Sequence, residues 1–205
     1  MRFSTLFPAL AVVATGASAA SFSSESISTA VSLSAQNHYG APIPPWEVGH
    51  HPGWYYGKGT PPKGITCILE GLFCELLELF FPFLGFHCPK PPPPPPPHQP
   101  PPPPEFTQCF SNLTCAAQDD SYQTYGLVDT VADCIAMCDS VSGCIFFNTY
   151  HDVNGKDGST QLTCALFQEC LTDSSADNCG GQTQPDGSVD YITNSDGYCK
   201  KKATA

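Results

Sequence analysis

The chain has 205 residues, 22 of them proline and 12 cysteine, and a formal charge of −11 from 19 acidic and 8 basic side chains. Lys and Arg are too few and too scattered to neutralise a phosphate backbone, which excludes nucleic acid as a partner. Acidity of this kind mainly keeps a protein soluble.

At the N-terminus Arg2 supplies positive charge, Leu6 to Val13 is a short apolar run, and Ala17-Ser18-Ala19 fits a small-residue cleavage site. Residues 1–20 therefore read as an export signal. A membrane anchor needs about 20 uninterrupted apolar residues, and this run is shorter and interrupted by Pro8, so no transmembrane segment is expected in the mature chain. Export places the cysteines in an oxidising compartment, where disulfides are their default state.

Residues 21–64 divide in two. Ser21 to Asn37 is Ser-, Ala- and Thr-rich, buries too little apolar surface to offset chain entropy and is expected to be disordered. From His38 to Lys63 the chain is rich in Gly, Pro and aromatics, including Trp46, Trp54, Tyr55 and Tyr56, and proline punctuation limits long elements. It is ordered only if something packs on it.

Residues 65–88 form an apolar, cysteine-containing segment with Cys67, Cys74 and Cys88. Its helical period puts Glu70, Glu75 and Glu78 within about 140° of arc, and the three carboxylates with Pro82 speak against a membrane span. A buried helix, a surface-seeking amphipathic helix and a self-association patch remain the choices. Residues 89–104 are almost pure proline, which favours a polyproline II rod of about 50 Å at about 3.1 Å per residue, a stalk.

Beyond Glu105 the composition becomes that of a domain of about 100 residues, a size that folds when disulfides supplement the core. Asp129 or Thr130 can cap a helix whose apolar positions Val131, Cys134, Ile135, Cys138 and Val141 follow three-four spacing, with Gly143 as terminator. Cys144 to Tyr150 reads as a central strand, because Phe146, Asn148 and Tyr150 on one face and Phe147 on the other are both largely apolar sets. Gln161 to Gln168 alternates and completes an antiparallel hairpin, and Gly187 to Thr193 offers one more short strand. The Lys200 to Lys202 tail reads as solvated charge.

Candidate chemistry is sparse. His151 is the only histidine in the domain, and Asp152, Asp157 and Ser159 near it in sequence do not make the converging groups that a hydrolase needs. Residues 152–158 superficially resemble a calcium loop, but Lys156 takes the fifth position and no glutamate closes it at the twelfth, so a turn is expected, with no metal and no cofactor. Asp186, Asp190 and Asp196 add oxygen ligands only if the fold gathers them. Asn112-Leu113-Thr114 is an N-glycosylation acceptor. Most aromatics belong to the core, which leaves Tyr122, Tyr125, Tyr150 and Tyr191 as candidates for a ligand surface.

Cys134-Ile-Ala-Met-Cys138, then Cys144, Ile145-Phe146-Phe147 and later Cys164 resemble the core of a PAN/Apple domain. Tyr125 to Cys134, Tyr150 to Gly158 and Asn178 to Gly187 are similar to secreted, fruit-body-specific proteins of mushroom-forming fungi, and the match covers about half the chain, Cys109 to Cys199. The resemblance implies an α+β fold, one helix cradled by an antiparallel sheet, with bridges Cys134–Cys164 and Cys138–Cys144. It also implies that Cys199 meets Cys109 or Cys115, that Cys170 and Cys179 close the intervening loop, and that one N-terminal cysteine of the domain is left over. Nine cysteines lie in residues 105–205 and three before the stalk, so complete pairing within each part is impossible. A disulfide-linked homo-oligomer or unpaired thiols resolve that parity better than a bend in the rod.

The function expected from these readings is a secreted, non-catalytic recognition or adhesion glycoprotein that binds glycan or protein at the fungal cell wall or extracellular matrix. A structural, surface-active protein assembling through residues 65–86 is the alternative, and a secreted wall-acting enzyme is the third.

Overall fold

The computed structural model describes residues 32–57, 62, 65–67, 79, 105–155 and 159–201. The export signal, residues 21–31, most of the apolar segment 65–88, the polyproline stretch 89–104 and the thiols Cys74 and Cys88 lie outside these residues.

Helix α1 spans Val131–Ser140 and starts at Thr130, whose hydroxyl accepts from the Asp133 backbone N–H while the Asp133 carboxylate accepts from the Thr130 backbone N–H at 2.9 Å. This reciprocal pair satisfies two donors that the first turn leaves unpaired. Asp129 has a different partner, the Tyr55 hydroxyl at 2.7 Å. Cys134, Met137 and Cys138 fall on the buried stripe; the helix gives way to extended Val141, and Gly143 follows at a positive φ of 81°.

Eight strands form one sheet: β1 Trp54–Tyr56, β2 Thr66–Cys67, β3 Phe106–Leu113, β4 Tyr122–Val128, β5 Phe146–Val153, β6 Leu162–Phe167, β7 Gly180–Thr183 and β8 Val189–Lys200. Their order is β2-β1-β4-β6-β5-β8-β3, and β7 also pairs with β8. β1 is parallel to β2 and β4, whereas the other pairings are antiparallel. β5 is interior, flanked by β6 and β8, which is why both of its faces are apolar. One face packs Phe147, Leu166 and Val128 on α1, and the other packs Phe146, Tyr150, Tyr125, Phe167 and Phe110.

Two bulges decide which side chains reach which face. In β3, Gln108 opposes Tyr198 and Phe110 opposes Gly197, so Cys109 is the extra residue. An inserted residue reverses the alternation: Phe106 joins the helix-side core, while Phe110, four residues on, joins the opposite one. The Phe110 ring fills the space over Gly197, where a Cβ would lie 2.3 Å from it. In β8 the register slips between the pairs Thr149↔Asp196 and His151↔Thr193, with Asn194 at φ 53°. Beyond that slip Asp190 and Ile192 turn inward, leaving Val189 and Tyr191 outward.

The aromatic segment of residues 38–57 finds its packing surface on this same sheet. Trp54 and Tyr56 of β1 join Cys134, Met137 and Cys138 in the helix-side core, and Tyr39 stacks on Trp54 at 5.1 Å. Polar anchors fix the rest: His38 Nδ1 to Gln123 O, the Tyr122 hydroxyl to Ala41 O and His50 Nδ1 to the Tyr125 hydroxyl, each 2.8 Å. The Gly53 N–H donates to Tyr125 O, and a Cβ at Gly53 would meet Tyr39 O at 2.2 Å, so the chain passes there only as glycine.

One expectation changes as a result. Thr66 and Cys67, at the start of the segment read as helical, form a strand instead, because β1 offers an open edge. Residues 38–57 also pack against the sheet of the domain that follows the polyproline stretch in sequence. The chain leaves β2 at one edge and re-enters at β3 on the other, six strand spacings away, or about 29 Å along the sheet.

Four disulfides join described residues: Cys134–Cys164, Cys138–Cys144, Cys115–Cys179 and Cys170–Cys199. The first two tie α1 to β6 and to the turn before β5. The last two correct the expected pairing of Cys199 with Cys109 or Cys115 and of Cys170 with Cys179. Ala116 and Asn178 exchange backbone hydrogen bonds at 2.7 and 3.1 Å, which brings the flanking Cys115 and Cys179 face to face. Cys109 is the unpaired ninth cysteine.

Lys200, expected as solvated tail charge, is the last residue of β8. Its ammonium lies 2.7 Å from Asp139 and 2.9 Å from Glu105, linking the end of α1 to the start of β3. Burial opposes its charge, but the hydrogen bonds and charges of Asp139 and Glu105 outweigh that and raise its pKa.

Candidate functional site

The outward end of β8 carries the clearest candidate surface. Val189 and Tyr191 are two residues apart on one strand, hence on one face, and each is 50 % exposed. Tyr191 lies opposite Val153 of β5 and Gly180 of β7, and the glycine leaves the ring unobstructed on that side. The Asn154 side chain, at a φ of 66°, donates to Val189 O at 3.0 Å and holds the strand against the loop after β5. The inward neighbour Asp190 accepts from the Gln182 backbone N–H, which fixes β7 on β8. An exposed aromatic beside an aliphatic side chain on a rigid strand suits a sugar ring or an apolar group of a protein. Val189 gives no sequence signal for this role, because the β8 bulge sets its direction.

The four tyrosines expected at a ligand surface separate. Tyr191 is at the surface. Tyr122 is half-buried, with its ring against Trp46 and Phe167. Tyr125 and Tyr150 are fully buried, which removes both from the candidate surface. Alternation shows that Tyr150 shares a face with Phe146 but not that residues 41–52 cover that face. Among the described residues the Tyr150 hydroxyl has no hydrogen-bond partner.

Burial first, then the Asp152 carboxylate and the neighbouring tyrosines, holds Tyr150 well above the ordinary value of 10.0. Burial, then Tyr122 and Asp152, does the same for Tyr125. A raised folded-state pKa gives stability that is complete below the unfolded-state value and lost as pH climbs past it. Stability should therefore fall as pH rises above 10, with the tyrosinate absorbance of these residues appearing together with loss of near-UV circular dichroism. Their titration with the fold intact would contradict the assignment.

The acidic residues serve separate local structures. Asp152 is buried, and a Cβ at Gly155 would lie 2.3 Å from its carboxylate. Asp186 accepts from the Ser188 backbone and hydroxyl, which lowers its pKa, and Asp196 accepts from the Asn112 N–H at 2.8 Å. Asp157 lies outside the described residues. His151 is half-buried on β5 and the adjacent Asp152 points inward, while the Ser159 hydroxyl donates to Gln161 at 3.1 Å. These residues are not brought together as a triad. Asn112 and Thr114 of the glycosylation acceptor are both exposed at the end of β3, which leaves the acceptor accessible.

Among the described residues the one tight cluster of His, Cys, Asp or Glu side chains is made of sulfur: Cys109, Cys170 and Cys199, whose Sγ atoms lie within 4.8 Å of one another. Two of the three are consumed in a disulfide, so the set is not a ready metal site. Among the described residues no helix is long and apolar enough to cross a membrane. Comparisons of the chain with protein-family models, with curated proteins and with solved structures each gave no match.

Proposed function

We propose that the chain is a secreted, non-catalytic recognition protein that binds glycan or protein at the fungal cell wall or extracellular matrix, through a PAN/Apple-like domain. The observation that carries the binding reading is the half-exposed Val189–Tyr191 pair on the outer end of β8. Four disulfides in so small a structure suit an exported protein. The PAN/Apple-like reading is supported by a helix on a sheet whose pairings beyond β1 are antiparallel, and by the Cys134–Cys164 and Cys138–Cys144 bridges. The Cys170–Cys199 bridge departs from that pattern, although β3 and β8 still pair the two ends of the domain.

The test uses the whole chain, because β1 belongs to the sheet and the residues before it pack on that sheet. Retention on fungal wall preparations and on a glycan array is compared for the wild type and Tyr191→Ala. Loss of a central aromatic anchor is expected to weaken binding about tenfold, equivalent to about 1.4 kcal/mol. Undiminished binding by Tyr191→Ala would remove this surface from the proposal, and failure of the wild type to retain any wall component or secreted partner would remove the recognition reading.

A further inference from the structure

Residues 105–205 hold nine cysteines; four bridges use eight, and Cys109 is the one left. Its placement is specific. The β3 bulge makes Cys109 the extra residue beside β8, exposed to solvent, with its Sγ 2.7 Å from the Sγ of Cys199. Cys199 is itself bonded to Cys170, which is exposed in the segment between β6 and β7. A free thiol thus touches one sulfur of an existing disulfide, the arrangement from which exchange proceeds through attack of a thiolate on a disulfide sulfur.

We propose that Cys109, Cys170 and Cys199 form a thiol–disulfide exchange site that passes the free thiol between Cys109 and Cys170 through Cys199. Cys109 gives its proton to water and its thiolate attacks Cys199 Sγ. The Cys109–Cys199 bond forms, the Cys170–Cys199 bond breaks, and the bonding electron pair leaves on Cys170 Sγ, which takes up a proton. One thiol and one disulfide stand on each side, so no oxidant or reductant is consumed.

The two states tie down different parts of the domain. A Cys170–Cys199 bond fastens the segment after β6 to β8; a Cys109–Cys199 bond fastens β3 to β8 across strands already paired. Exchange therefore moves the thiol from a sheet edge to the β6–β7 segment and leaves that segment held by Cys115–Cys179 at its far end. Burial pushes the Cys109 thiol up, against a smaller opposing pull from a hydrogen bond with the Cys199 backbone. Thiolate is consequently scarce at neutral pH, and exchange speeds up as pH rises.

The test maps free thiols and bridges in the folded full chain. Protein held at mildly alkaline pH is acid-quenched and alkylated, and its disulfide peptides are identified. Label is expected on both Cys109 and Cys170, with a Cys109–Cys199 bridge in the molecules labelled at Cys170 and a faster approach to that division at higher pH. In Cys109→Ser the Cys170 label should vanish. Label confined to Cys109 at every pH would overturn the proposal, as would a Cys170 label that persists in Cys109→Ser. Folded Cys170→Ser should carry a Cys109–Cys199 bridge and no free thiol among the three positions; two free thiols there would also overturn it.

Discussion

Trp54→Ala is expected to lower the melting temperature by on the order of 10–20 °C, although Trp54 lies more than fifty residues before the cysteine-rich domain begins. Its side chain is buried between Tyr39, stacked at 5.1 Å, and Gly126, where a Cβ would come within 2.5 Å of the indole. Truncating a buried Trp costs about 3–5 kcal/mol in lost transfer energy and residual cavity. Each kcal/mol moves the midpoint of a domain of this size by about 3–5 °C. A chain beginning at Glu105 should fare worse than the point variant. It lacks Tyr39, Trp54 and Tyr56, so it uncovers the apolar faces of Val128, Met137 and Leu166 and opens the edge of β4. Thermal melts of the full chain, the point variant and the truncated chain check the order. A truncated chain as stable as the full one would mean that residues 38–57 are an accessory to the domain and not part of it.

That segment also shows where sequence reasoning reaches its end. Helix α1 was legible from residues 130–143 because capping, three-four spacing and a terminating glycine are all local signals. β5 and β6 were legible for the same reason, through short-range alternation. β1 was not: three residues, Trp54 to Tyr56, carry no period, and their partners Leu127 and Val128 lie about seventy positions away in a parallel pairing. Proline in the neighbourhood lowers local propensity, and burial of three large aromatic side chains overrides it.

The bulges were illegible too, since nothing in Phe106-Thr-Gln-Cys-Phe110 announces that one residue drops out of register. Yet that slip places Phe110 over Gly197 and Cys109 against Cys199. Among the tyrosines, alternation showed which residues share a face but not which face has a cover. Tyr125 and Tyr150 are buried beneath the segment before β1, Tyr122 is half-buried, and Tyr191 is at the surface. The cysteine count exposed an odd thiol, and the two bridges of α1 followed from a resemblance; the pairing of Cys115 with Cys179 depends on the isolated bridge Ala116↔Asn178.

Removing the Cys134–Cys164 bridge as Cys134→Ala/Cys164→Ala is expected to cost about 4 kcal/mol, against about 2 kcal/mol for Cys138→Ala/Cys144→Ala. The difference follows from loop closure: the first bridge spans 30 residues and the second 6, and the unfolded chain regains more entropy when the longer loop opens. Burial adds to the same order. Both sulfurs of the first bridge are completely inaccessible beneath α1, so alanine leaves space that the surrounding Met137 and Leu166 fill only in part. Alanine is the appropriate replacement, since serine would bury a hydroxyl with no assured partner. Chemical denaturation of the two double variants gives the comparison, with an unchanged slope expected if each still unfolds in one step. An equal or reversed order would show that the helix is held on the sheet mainly by its capped N-terminus and apolar stripe, and that the long bridge adds little to a contact already made.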